Sequence, residues 1–260
     1  MSEDAVPRYI YAVTWDDPHP VIDAPPVGGS GVVYTITHRG LAAVVSDGDL
    51  PRYELTRTNV RGHQAVLDCV LRTADVLPAR LGTTLPSTES VLEDLLEHRR
   101  DELIRLLTSV TGRVELGLKV SWLDLEHAFR EVVAEDASLR LLRDRLAGSG
   151  AGSYETRLQL GDRASQALAA KRTREADRLI AALAPYTAGS RMNTPMSDLM
   201  MLNAAFLVDR QQIGTFEEAV ARLDAAHRGR LSFRVAGPLP PFNFVTLHIN
   251  STAGAGPARR

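Results

Sequence analysis

From Val114 to Trp122 every second residue is large and apolar: Val114, Leu116, Leu118, Val120 and Trp122, with Glu115, Gly117, Lys119 and Ser121 between them. A two-residue period places the apolar set on one face of an extended chain, whereas a helix would scatter it around its circumference. The segment is therefore a strand that needs a sheet beside it and a covering layer on one side.

The chain downstream of Trp122 supplies both. Asp124 is placed to cap a helix whose stripe is Leu125, Phe129, Val132, Leu139, Leu142 and Leu146. The run Gly148 to Gly152 breaks that helix and reads as a linker, because it comes after a helix and lacks the spacing of a dinucleotide-binding loop. A long Arg- and Ala-rich helix is expected from Tyr154 to Leu183, ended by Pro185. Tyr186 to Met196 reads as a short, weak strand. Leu199 to Asp209 alternates Met200, Leu202, Ala204, Phe206 and Val208 and reads as a strand, with a helix as competitor because Ala, Leu and Met favour helices. Thr215-Phe216-Glu217-Glu218 has the form of a capping box opening a helix that stops at Gly229. Leu231, Phe233 and Val235 alternate in a last strand, and Pro238, Pro240 and Pro241 are expected to end regular structure. The order strand, helices, strand, strand, helix, strand over residues 113–249 is ferredoxin-like, βαββαβ with an extra helix. The tail, 250–260, is expected to be disordered.

Residues 1–112 read as a separate N-terminal α+β domain. Tyr9, Tyr11, Val13 and Trp15 alternate in a first strand, and Val32 to Thr37 and Leu41 to Ser46 form a hairpin turning at His38-Arg39-Gly40. Val60, His63, Val66, Leu67, Val70 and Leu71 then recur at helical spacing. Val76 to Leu81 reads as a buried strand in which Pro78 requires an edge or a bulge. Ser87 is placed to cap a helix carrying Val91, Leu92, Leu95, Leu103, Leu106, Leu107 and Val110, stopped by Gly112. The fold class is α+β in two domains.

Chemistry is sparse. The only cysteine, Cys69, allows no internal disulfide and no thiolate zinc site, and suits a reducing cytoplasm. There is no phosphate-binding P-loop, no nucleophile elbow, and no histidine pair at metal-ligand spacing, so no cofactor or metal is expected. A net charge of −2 argues against general affinity for nucleic acid or anionic membrane, and Lys119 and Lys171 are the only lysines among arginines interleaved with acids. The most apolar run, Leu199 to Val208, is interrupted by Asn203 and too short to cross a bilayer, so partners are expected on the cytosolic side. His63 faces apolar helix neighbours and reads first as a half-buried structural histidine. Arg80, beside Gly82, has two readings, an internal salt bridge or an anion contact.

Several segments, taken in order, resemble the gas vesicle GvpL/GvpF family. They are Tyr9-Ile10-Tyr11-Ala12-Val13, Gly40 to Ser46, Leu77-Pro78-Ala79-Arg80-Leu81-Gly82-Thr83, Val114 to Val120 with Trp122, Leu202 to Asp209, and Gly237 to Phe244. Leu81 stands where the family has Phe, Leu239 where it has Trp, and Gln64, after His63, where it has Glu. The resemblance spans about residues 8 to 245. It implies a non-enzymatic accessory or minor component of gas vesicle assembly, acting at the gas vesicle in the cytoplasm. Its implied partners are the shell protein GvpA, other gas vesicle proteins, or both.

Candidate contact residues are Arg80, Leu239, Phe242 and Phe244, together with the edge of the C-terminal sheet as a site for strand addition. The plain alternative is that Pro238 to Phe244 only packs the terminus. Two rival functions remain open at this point. One is a small-molecule enzyme using an interdomain cleft with His63 or Arg80. The other is RNA binding on the sheet face, disfavoured because Glu115, Gly117, Lys119 and Ser121 include no aromatic ring.

Overall fold

The computed structural model describes residues 6–28, 31–48, 53–148, 154–245, 247 and 249. The linker expected at Gly148 to Gly152 and the tail beyond Asn250 fall outside the described residues, save Gly148. The fold is mixed α+β with two sheets. The chain divides into two compact units, Met1–Glu115 with Pro238–Arg260, and Leu116–Gly237. The described residues from Pro238 onward group with the first unit.

In the first unit β1 (Arg8–Trp15) lies between β3 (Leu41–Asp47) on one side and β4 (Leu77–Pro78) and β5 (Thr84–Leu85) on the other, and β2 (Val33–His38) extends the sheet beyond β3. Every residue of β1 from Arg8 to Thr14 is buried. A strand that is central and covered on both faces loses the polar alternation a one-sided strand shows. The β2–β3 turn uses positive φ at both Arg39 (49°) and Gly40 (87°), the two-residue geometry whose twist matches the strands. Holding a non-glycine residue there costs about 1 kcal/mol. Pairing along β1 shifts between Ile10 and Ala12, so Tyr11 is an extra, bulged residue.

Helix α1 (Arg57–Leu71) starts at Thr56, whose side chain accepts from the Asn59 N–H at 3.2 Å. The expected strand 76–81 shrinks to Leu77–Pro78 at the sheet's margin, because proline has no N–H to continue a ladder. Ser87 caps as expected, but the helix after it is not continuous. A single turn, α2 (Thr88–Ser90), passes into a π-helical stretch Val91–Glu97, and α3 (Arg100–Val110) begins anew. One additional residue per turn rotates the apolar stripe, which keeps Val91, Leu95 and Leu96 buried with Leu103, Leu107 and Val110.

The second sheet runs β7 (Gly189–Met192), β8 (Met200–Asp209), β6 (Arg113–Trp122), β9 (Leu231–Leu239). Leu199 to Asp209 is a strand, not a helix. Its even-numbered residues Leu202, Ala204, Phe206 and Val208 join Leu116, Leu118, Val120 and Trp122 in one core, with Phe206 and Phe216 ring centroids 5.3 Å apart. Each fully buried large apolar side chain contributes about 2 kcal/mol. The helix expected over 125–146 is two, α4 (Leu125–Glu135) and α5 (Ala137–Gly148). Asp136 separates them, its carboxylate accepting from the Ser138 and Leu139 N–H groups, which starts a new helix. Helix α6 (Tyr154–Leu183) has the expected bounds. The capping box is not used: α7 (Ile213–Ala226) starts earlier, after Gln212, with Thr215 already inside it. β9 continues through Pro238, which an edge strand tolerates because its outer N–H groups need no partner.

Candidate functional site

The candidate residues His63, Arg80, Leu239, Phe242 and Phe244 all fall in the first unit. The bulge at Tyr11 is where their local geometry starts. The Tyr11 carbonyl accepts from the Ala79 N–H at 2.8 Å, which fixes the chain immediately before Arg80. Above it sits an aromatic cluster: Tyr9 and Tyr11 centroids are 4.7 Å apart, Tyr9 and Tyr53 are 4.8 Å apart edge-on, and His63 stacks on Tyr11 at 5.5 Å.

His63 is 5% exposed and both ring nitrogens are engaged. Nε2 lies 3.2 Å from the Ala79 carbonyl, which can only accept, so Nε2 carries the proton. Nδ1 then accepts from the Tyr9 hydroxyl at 2.9 Å, and that hydroxyl in turn accepts from the Gly82 N–H at 3.1 Å. Burial lowers the His63 pKa to about 4 and raises that of Tyr9, so both are neutral near pH 7. A histidine with no free nitrogen and so low a pKa is a poor general base. The ring pins the 79–82 loop. Gly82 is required there, since its φ is +81° and a Cβ would come within 3.2 Å of the Tyr53 carbonyl.

Arg80 points to a different role from His63. It is exposed, and among the described residues no hydrogen bond or ion pair reaches its guanidinium, contrary to the internal salt bridge considered from sequence. The 79–82 loop also receives the C-terminal segment, because Leu247 forms a parallel bridge with Ala79. Pro240, Pro241, Val245 and Leu247 are buried, Leu239 and Phe244 are half-buried, and Phe242 is 42% exposed.

Sequence reasoning missed the contact that ties this segment down. Glu115, read as an outward strand residue, is 3% exposed. Its two carboxylate oxygens accept from the Asn243 N–H at 2.8 Å and the Asn243 side-chain amide at 2.7 Å. Burial raises its pKa, and the two bonds from Asn243 pull the other way without cancelling the effect. A carboxylate on the polar face of a strand carries no local sign of burial; only the partner 128 residues away reveals it.

The second unit also buries charge. Lys171, its side chain 6% exposed, faces Glu131 at 3.1 Å and Glu175 at 3.6 Å, with Glu135 closer still. Arg230 bridges Glu131 at 2.8 Å and pairs with Glu175. Burial alone would lower the Lys171 pKa, but hydrogen bonds to Glu135 and Glu131 outweigh it and the pKa is raised. Among the described residues no cluster of His, Cys, Asp and Glu is arranged to hold a metal ion, and no helix is long and apolar enough to cross a membrane.

Comparison with known proteins is specific. The family described as Gas vesicle synthesis protein GvpL/GvpF matches residues 7–246. The chain is 32% identical to Gas vesicle protein F of Streptomyces sp. (strain CB03234), over 91% of this chain and 98% of that one. It is 29% identical to Gas vesicle protein F2 of Halobacterium salinarum (strain ATCC 700922 / JCM 11081 / NRC-1), over 96% of each. The crystal structure of the gas vesicle protein GvpF from Anabaena sp. PCC7120 has the same fold, with a TM-score of 0.82 at 22% identity, covering 94% of this chain and 100% of that one. The match runs through both sheets and nearly end to end, so this chain belongs to the GvpL/GvpF family of gas vesicle synthesis proteins.

Proposed function

We propose that this chain is a non-enzymatic accessory protein of gas vesicle assembly that captures the shell protein GvpA, alone or with other gas vesicle proteins, on the cytosolic side. The observation that carries the reading is the surface at the 79–82 loop. There an exposed Arg80, which no described residue pairs with, comes directly after Ala79, the residue to which the C-terminal segment is bridged, and that segment exposes Phe242. An arginine without an internal partner and a half-exposed aromatic ring are the residue types that dominate protein contacts. A shell protein before assembly exposes apolar surface, and covering it lowers its tendency to aggregate. Leu239 and Phe244, half-buried in the same segment as Phe242, complete the proposed surface.

We further read the second unit as ferredoxin-like. The reading is supported by its sheet order, β7-β8-β6-β9, which in chain order is second, third, first, fourth strand. The long first crossover holds α4, α5 and α6 in place of a single helix.

Co-expression with GvpA tests the capture reading. The wild-type chain is expected to co-purify with GvpA and keep it in the soluble fraction, and Arg80→Glu with Phe242→Asp to weaken capture by about tenfold or more. Absence of association, with both proteins folded, would remove GvpA capture as the mechanism.

A further inference from the structure

We propose that the segment beginning at Pro238 is a strap on the first unit that opens by itself, ahead of the unit's unfolding, and that the charge on Glu115 sets how far it opens.

The strap carries its own shape. The Phe242 N–H donates to the Pro240 carbonyl at 2.7 Å, and the Phe244 and Val245 N–H groups donate to the Pro241 carbonyl at 3.0 and 3.1 Å. These bonds lie within the segment, so they travel with it when it moves. It is tied to the rest of the unit by the backbone bridge of Leu247 to Ala79, by burial of Pro240, Pro241, Val245 and Leu247, and by the two bonds from Asn243 to Glu115.

Glu115 is the weak member of these ties. It is 3% exposed, and an ionised carboxylate taken out of water is costly unless a cation accompanies it. Burial and the Asn243 bonds are what act on its carboxyl, and no charged or titratable side chain is among the influences. The buried acids of the second unit, by contrast, share Lys171 and Arg230. Both bonds that Glu115 accepts come from the strap. Opening therefore returns the carboxylate to water in the same step that frees Asn243. What opening uncovers is the backbone edge at Ala79, directly before the exposed Arg80.

In the closed form burial holds the Glu115 pKa above its ordinary value, whereas in the open form the solvated carboxyl titrates near that value. A proton on Glu115 thus favours the closed strap, and opening grows as pH rises through the closed-form pKa.

Amide hydrogen exchange on the whole chain tests this. The Asn243 N–H reports the strap, and the Ile10 N–H, bonded to the Thr83 carbonyl at 2.9 Å, reports the body of the same unit. With the intrinsic pH dependence of exchange removed, Asn243 is expected to be less protected than Ile10 by about tenfold or more near neutral pH. Its protection is expected to fall from about pH 5 to about pH 7.5, by up to about tenfold for each unit by which closure raises the Glu115 pKa. Glu115→Gln keeps the shape and an acceptor without the charge, and is expected to raise Asn243 protection near neutral pH and to remove its pH dependence.

That substitution alters the bond that protects Asn243, so a second reading avoids it. Leu247 is 2% exposed, and Leu247→Cys in a Cys69→Ser background places the only thiol of the chain on the strap. Its labelling rate, relative to a free thiol at the same pH, is expected to rise with pH and to lose that dependence when Glu115→Gln is added. Equal protection of Asn243 and Ile10 would overturn the strap. Strap opening that is independent of pH, that declines as pH rises, or that rises equally with Glu115→Gln would overturn the role of Glu115. No other gas vesicle protein enters the measurement, so the strap and the GvpA-capture reading stand or fall separately.

Discussion

The two units solve the problem of buried polarity in opposite ways. The first keeps most of its interior polar groups neutral: Tyr9 pairs with His63 and ends on backbone groups of Ala79 and Gly82, and Tyr11 pairs with Ser46 and ends on the backbone of Val27. The second buries ions, with Lys171 and Arg230 shared among Glu131, Glu135 and Glu175. Neutral networks lose little when one bond stretches, but they fail when a member is forced to take a charge. Ionic networks hold their charge over a wide pH range, but removing one ion leaves its neighbours repelling. Each unit carries one tryptophan, Trp15 in the first and Trp122 in the second, so the contrast can be tracked with single-tryptophan variants.

The largest effect is expected at the ionic centre. Lys171→Met leaves three carboxylates without their shared cation and should destabilise the second unit by about 3–5 kcal/mol, read as a lowered denaturation midpoint of Trp122 fluorescence. If that midpoint is unchanged, the ionic network contributes little to stability and the contrast between the units dissolves.

Acid should separate the units next. The His63 pKa is about 4 in the fold against 6.5 when free, so the unfolded chain binds the extra proton. The stabilisation is full above about pH 6.5 and is lost as pH falls toward 4, up to about 3 kcal/mol. Glu115 runs the other way, because its raised pKa lets the folded form bind a proton first. In a Glu115→Gln background the acid slope of the first unit is left to His63 and, below about pH 4.5, to Glu97, whose pKa is held low by its bonds to His38 and Arg39. Burial by itself would raise the Glu131 pKa, but Arg230 and Lys171 together hold it low, which should keep the second unit folded until pH falls below the free value of 4.5. Trp15 should thus report loosening at a higher pH than Trp122, and coincident acid transitions would contradict the assignment.

The smallest effects distinguish caps that are used from one that is not. Thr56→Ala removes a bond to the Asn59 N–H and should cost about 1 kcal/mol in the first unit. Thr215→Ala in the second should cost less than about 0.5 kcal/mol, because Thr215 lies within α7 rather than at its start. Equal losses in chemical denaturation would mean that the capping box is used after all.

Thr215 is also a good measure of how far local signals reach. The box is present, yet α7 begins at Ile213, two residues before Thr215, and no side chain caps it. Periodicity succeeds where a single neighbouring layer decides the pattern, as in Val114 to Trp122, and composition with a proline stop succeeds for Tyr154 to Leu183. It does less well where curvature or a second face matters, as in the π-helical turn at Val91–Glu97 and the break at Asp136. Of the candidate site, the sequence offers Arg80 and Phe242 only as residue types suited to contacts; their exposure is decided by the fold, since Arg80 reads equally as half of an internal salt bridge and Phe242 as packing of the terminus. The tyrosine cluster around His63 has a signal, Tyr9 and Tyr11 alternating in the first strand and a histidine on an apolar helix stripe, that points to burial rather than chemistry.

By itself the sequence determined the strands and helices whose apolar period is unbroken, the Arg39-Gly40 turn, and the family, because all of these rest on residues close together in the chain or on their order along it. Tertiary structure alone decided that Glu115 is buried under Asn243, that Lys171 sits inside a ring of acids, and that the chain beyond Pro238 returns to the first unit. Each of these depends on partners far away along the chain. The free energy of a charge or a hydrogen bond is set by what surrounds it in space, and local composition does not contain that information.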